Sequence, residues 1–276
     1  MDAADLEALM RAQRLLLSTF YLPMGYGAFL LLLVTSWPTS TRADQIPVRF
    51  PQGSAHGFVE VLDAKGTRLA VGDLLQRTHG DRVSSELLLN FLDGSVDDET
   101  TVFTQHGVFR LISDHHVQRG PSFPQPIDVT VDARRSLISS VDAHGQAKTV
   151  HFAMPADTYN GLAATLLMDL PHNAPETKIA LVIAGDTPRL AHLTMKPGED
   201  ERFTIGGTNR MAIDYVVHVE LGGVAGIVAP VIGKQPPDYH VWILGGPDPA
   251  FIREEGPLYE AGPIWRIQQI SPTLPK

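Results

Sequence analysis

Cysteine is absent from the 276 residues, which excludes disulfides, thiolate nucleophiles, cysteine-ligated zinc and a lipidated N-terminal cysteine. Export stays open, because a disulfide is not a condition for it. Charge is sparse as well, at 19% of residues with a net charge of -9. The charged residues before Asp44 (Asp2, Asp5, Glu7, Arg11, Arg14 and Arg42) cancel, so the acidic excess lies wholly in the remainder. Such a body repels nucleic acid and anionic headgroups, and neither is an expected partner. The chain also lacks repeats, low-complexity tracts and a Ser/Gly-rich linker. With 43% hydrophobic residues it can bury a sizeable core, and one domain over 44–276 is expected.

Catalytic signatures are missing too. No His-Glu-x-x-His, His-x-x-x-His or Gly-x-Ser-x-Gly occurs. Gly226 to Lys234 resembles a phosphate loop only superficially: the glycines are too far apart, Gln235 stands where Ser or Thr should be, and Pro236-Pro237 blocks the following helix. No metal and no cofactor is expected.

What is present begins with Arg11 and Arg14 before an apolar tract, Leu15 to Val34, and a small-x-small site at Thr41-Arg42-Ala43. This pattern predicts an export signal over 1–43. An uncleaved anchor is the rival, since about 20 apolar residues can span a bilayer, and a buried cytoplasmic helix is a third reading. In the first two cases the body is periplasmic or otherwise exported, and the membrane is met only through the N-terminal segment.

From His56 onward, short alternating runs are separated by turn residues. About eight strands are predicted before the first helix. Ala156 to Leu170 is that helix, introduced by Pro155 and stopped by Pro171, with Tyr159, Leu162, Leu166, Leu167 and Leu170 on one stripe. Strands resume at Lys178 to Ala184, Leu190 to Lys196, Phe203 to Gly206, Met211 to Glu220, Tyr239 to Leu244, Ala250 to Arg253 and Ile264 to Ile267. About a dozen antiparallel strands cannot stay flat. The predicted fold class is therefore mainly β: a curved antiparallel sheet, half-barrel or barrel-like, whose concave face is covered by one amphipathic helix.

The segment Asp157-Thr158-Tyr159-Asn160-Gly161-Leu162 between two sets of strands, the strand Ala212 to Glu220, and Asp238-Tyr239-His240-Val241-Trp242-Ile243-Leu244 followed by Phe251-Ile252-Arg253-Glu254 carry a resemblance. In this layout, over roughly 200 residues, the chain resembles the DUF3108-like exported bacterial proteins of unknown function, whose curved sheet is similar to the half-barrels of lipoprotein carriers. The resemblance implies an envelope protein with an apolar concavity and transfers no catalytic residue. The loop Lys234 to Asp238 and the extension Gly256 to Trp265 depart from the pattern.

Several side chains could carry function. Tyr159, Leu162, Leu166, Tyr215, Trp242, Phe251 and Trp265 could line a cavity for a lipid, an acyl chain or another apolar molecule, or could simply pack the core. Lys234, Gln235, Arg253 and Glu254 could contact an envelope partner at a rim, or could only shape turns. Asp114, His116 and Gln118 share a strand face while His115 points away. The plain reading of that face is a solvated one, as for the polar run Val96 to Gln105. Glu254, Glu255 and Asp238 could be imagined as paired acids for glycoside hydrolysis, but consecutive glutamates on a strand diverge. Three roles follow: a carrier of an apolar ligand, an assembly factor working through its loops, or an enzyme of unrecognised type.

Overall fold

Alternation of apolar and polar residues produces fourteen strands among the described residues. In the computed structural model these residues are 45–142, 144–185, 187–205, 207–221 and 236–270. The segment 1–44, the run Val224 to Ile232, and Lys234 and Gln235 lie outside them. In chain order the first arm holds β1 (Ala55–Leu62), β2 (Arg68–His79), β3 (Arg82–Phe91), β4 (Val96–His106), β5 (Val108–Arg119), β6 (Ile127–Asp132), β7 (Leu137–Val141) and β8 (Ala147–His151). Helix α1 (Ala163–Asp169) follows. The second arm is β9 (Thr177–Ile183), β10 (Arg189–Ile205), β11 (Thr208–Leu221), β12 (Tyr239–Leu244), β13 (Ala250–Pro257) and β14 (Ile264–Ile270).

All fourteen belong to one antiparallel sheet in the order β8-β7-β6-β5-β4-β3-β2-β1-β14-β13-β12-β11-β10-β9. Each arm is a meander. The last strand closes on the first through pairs such as Val61 with Ile267, so the central seam joins residues more than two hundred positions apart. The sheet curls around α1. Leu162, Leu166 and Leu167 pack in one core with Phe103, Phe109, Val131 and Ile138 of the first arm and with Ile179, Met195, Tyr215, Val241 and Ile243 of the second. One helix can reach both arms only from a concave face. Leu162, Leu166, Leu167 and Tyr159 are each at most 2% exposed. Deleting one such leucine to alanine costs about 2 to 5 kcal/mol in comparable cores. The described residues belong to a single compact unit, Arg42–Lys276, and none of their helices is long and apolar enough to cross a membrane.

The helix is shorter than the leucine spacing predicts. It spans seven residues, because the first half of the expected helix is engaged elsewhere. Tyr159 donates its backbone N–H to Ala180 O at 2.9 Å, and Ala180 N donates to Asp157 O at 3.1 Å. The Asn160 amide closes both ways on the backbone of Val182, at 2.8 and 2.9 Å. This cover satisfies the outer edge of β9, which would otherwise present unpaired donors and acceptors. Gly161, at φ +67, then turns the chain into α1. The expected strands Leu190 to Lys196 and Phe203 to Gly206 are one strand, β10, with a register shift between Pro197 and Asp200.

Candidate functional site

The inward rows of β4 and β5 are polar. Cross-strand pairing places Asp97 opposite Gln118, Glu99 opposite His116 and Thr101 opposite Asp114. Glu99 is also opposite Leu87 of β3. On β13, Glu254 is opposite Val241 and Ile267, both core residues, and so faces the same interior. Asp97, Thr101, Asp114 and Gln118 are all nearly inaccessible, at 6%, 2%, 4% and 2%. The expectation of a solvated face for these two strands is therefore overturned. Curvature, which no local pattern encodes, turned a polar strand face into an interior wall.

Asp97 is the best satisfied of the acids. Its Oδ1 lies 2.7 Å from His116 Nε2, and its Oδ2 accepts from Gln118 Nε2 at 3.1 Å. Gln118 Nε2 also donates to Leu258 O at 2.8 Å. Thr101 donates its hydroxyl to Asp114 Oδ1 at 3.0 Å. Gly161 sits directly over this pair: a Cβ there would stand 2.0 Å from Thr101 Oγ1 and 2.7 Å from Asp114 Oδ1. Only glycine supplies both that approach and the left-handed torsion.

Burial raises Asp114, Glu99 and Glu254, and repulsion between neighbouring acids adds to it for Asp114 and Glu99. Desolvation, then the charge of Glu99, pushes Asp114 up to about 7. Glu99 is raised by burial; His116 opposes the shift, and Asp97 and Glu254 add to it. Desolvation alone raises Glu254 to about 7. Burial disfavours charge on His116, yet the Asp97 hydrogen bond and the charges of Glu99, Asp97 and Asp114 outweigh it and bring His116 to about 9. One imidazolium thus stands among four carboxyl groups. Carboxyls poised near neutrality can donate hydrogen bonds, hold a cation or move a proton. Among the described residues, no group of three or more His, Asp or Glu side chains has the arrangement of a metal site.

Glu99 and Glu254 border a cavity of about 290 Å³. Val59, Leu74, Leu87, Phe251 and Ile267 are among its walls on the sheet, with Gln76, Ser85, Glu99, Thr101 and Glu254 as polar members. The Tyr159 to Met168 segment covers it with the small side chains Ala163, Ala164 and Thr165. The leucines of α1 point the other way, into the core.

Of the residues expected to contact a ligand, Tyr159 and Phe251 line this cavity. Leu162 and Leu166 do not, because they fill the core beneath the helix. Tyr215 belongs to a second cleft of about 350 Å³ near the end of α1, where its hydroxyl donates to Leu170 O at 2.7 Å. Trp265 packs with Phe91, Phe123 and Tyr259 in a separate aromatic cluster. Trp242 faces away from the concavity, opposite Asp214 and Arg253 in the ladder while its neighbours Val241 and Ile243 enter the core.

Arg253 and Glu254 were expected at a rim, and the structure separates them. The Arg253 guanidinium lies 3.7 Å from the Trp242 ring centroid and 4.9 Å from that of Phe203, and its Nη2 pairs with Glu201 at 2.6 Å. It covers the outer face as a packing element. Glu254, one residue on, enters the cavity because successive strand residues alternate. Lys234 and Gln235 lie outside the described residues. Glu99 and the helix's alanine face went unnoticed in sequence. The polar alternation Asp97, Glu99, Thr101 was a visible signal, and it read as exposure.

No protein-family model and no curated protein matches the chain. The DUF3108-like resemblance therefore gains no support as a family assignment. Among solved structures, the chain is similar to a β-barrel-like protein of the domain of unknown function DUF1849 from Brucella abortus. The two share 8% identity at a TM-score of 0.46, over 80% of this chain and 98% of that one.

Proposed function

We propose that this is an exported binding protein that holds a small amphipathic molecule between α1 and the concave sheet. The observation that carries the reading is the half-open cavity of about 290 Å³, walled by apolar side chains of the sheet and covered by the small face of the helix. Its size is at the low end of the roughly 300 to 1,000 Å³ common for ligand pockets. That suits one short chain or ring better than a two-chain lipid. Burial of the apolar arm would drive binding at roughly 25 cal/mol per Å², less the ordering costs. Ala163 and Ala164 matter here because larger residues would fill the space.

Native mass spectrometry of the full chain titrated with 1-octanol tests the reading. Binding at one equivalent is expected, with loss on Ala164→Phe in a protein that keeps its circular dichroism. No uptake of octanol, or uptake unaffected by filling the cavity, would end it. Export rests on the Arg11 to Ala43 pattern alone.

A further inference from the structure

The cavity has an excess of acid and no basic side chain of its own. The Glu254 side chain makes no hydrogen bond and no ion pair with any described residue. Protein encloses its carboxyl, and the surface it keeps opens onto the cavity. Glu99 reaches the same space, near enough for Glu254 to raise its proton affinity. No lysine, arginine or histidine lines the cavity. His116, the cluster's basic group, is already held by Asp97. The helix side cannot compensate either: Tyr159 gives its hydroxyl to Phe109 O at 3.1 Å, and Asn160 is bound to Val182. Tyr239, beside Glu254, donates to Pro257 O at 2.9 Å. Ser85 and Thr165 also line the cavity, but neither hydroxyl bonds to Glu99 or Glu254, so the two carboxyls face a largely apolar space without a donor of their own. A half-buried carboxylate at the wall of an apolar cavity is stabilised by a donor or a cation from outside.

We infer that the ligand is a cationic amphiphile, an alkylammonium whose N–H groups meet Glu99 and Glu254 while its apolar arm lies along Val59, Leu87 and Ile267. This rests on the binding role proposed above and names its ligand class. An ammonium supplies both the missing charge and the missing donors, and a charge-assisted hydrogen bond in an enclosed site outweighs a neutral one. Seating it would return the facing acids to carboxylates. Glu254, held near 7 by burial, would then release its proton, so amine affinity rises with pH between about 5 and 8. His116 stays charged across that range and opposes the ligand equally at both ends.

Calorimetric titration of the full chain with n-octylamine, 1-octanol and octanoate at pH 5 and pH 8 tests the inference. At pH 8 the amine is expected to bind at least about tenfold tighter than the alcohol, the worth of one charge-assisted hydrogen bond. At pH 5 that preference should largely vanish. Glu254→Gln and Glu99→Gln should each reduce it at pH 8. If the alcohol binds as tightly as the amine at pH 8, or octanoate binds tightest, the cationic ligand is refuted while the cavity reading stands. A preference that survives both variants refutes the assignment to these acids. If none of the three chains binds, the binding role itself falls, and the inference with it.

Discussion

Glu254 is a charge that the folded protein holds against its environment, and neutralising it should stabilise the protein in a pH-dependent way. Burial raises its carboxyl from the ordinary 4.5 to about 7. Each tenfold change in proton affinity is worth about 1.4 kcal/mol, so ionised Glu254 opposes folding by about 3 kcal/mol. Glu254 keeps part of its surface accessible, so solvent screens part of that charge and the figure is an upper bound. Between about pH 4.5 and 7 the folded state keeps a proton that the unfolded chain has released. The contribution of Glu254 to stability therefore falls as pH rises through this window and stays low above it. Glu254→Gln keeps the shape and is neutral throughout. The two proteins should be almost equally stable near pH 4. At pH 8 the variant should gain about 2 to 3 kcal/mol, read as a higher urea midpoint at unchanged slope. All other titrating groups are common to both proteins, so the difference isolates one carboxyl. A variant no more stable than the parent at pH 8 would refute the picture of an enclosed, uncompensated acid.

Gly161→Ala combines a positive φ with a Cβ 2.0 Å from Thr101 Oγ1; a loss of about 2 to 4 kcal/mol in denaturant unfolding is expected, and a loss below about 0.5 would show that the turn is not held against β4. The His116 imidazole, raised to about 9, contributes stability that is complete below about 6.5 and lost as pH rises through 9. An NMR titration should find its midpoint well above 7 and should find it lowered in Asp97→Asn; a native midpoint at or below 6.5 contradicts the ion pair. Arg253→Ala uncovers Trp242 and should cost about 1 to 2 kcal/mol with a red shift in tryptophan emission, whereas unchanged emission would mean that the guanidinium does not cover the ring. Fused to a periplasm-dependent reporter, residues 1–44 should activate it, and Arg11→Glu with Arg14→Glu should reduce that activity; a silent fusion removes the basis for export.

Strand existence was readable because period-two alternation and turn residues act locally. Tyr239–Leu244 has the bounds that its sequence predicts. The leucine stripe correctly placed a helix against the sheet but overstated its length. Nothing near Asp157 to Asn160 reports that the edge of β9 is waiting for them, since Ala180 and Val182 are about twenty residues away.

Faces were harder than elements. On β4 and β5 the alternation was right and the inside was assigned to the wrong side, because a polar row ordinarily means water. On β12 the opposite happened: an aromatic suggested the interior, yet Trp242 is buried on the outer face under Arg253.

Local chemistry alone settled that this chain is an acidic, cysteine-free antiparallel β protein with a single interrupting amphipathic segment. Alternation, turn residues and proline boundaries act over a few residues and need no partner to be read. Where Glu99 and Glu254 meet, and that no basic side chain lines the cavity they share, was decided only when β1 paired with β14 and curvature turned both arms inward. The proton affinity of a carboxyl depends on what surrounds it in space, and these two are 155 positions apart in the chain.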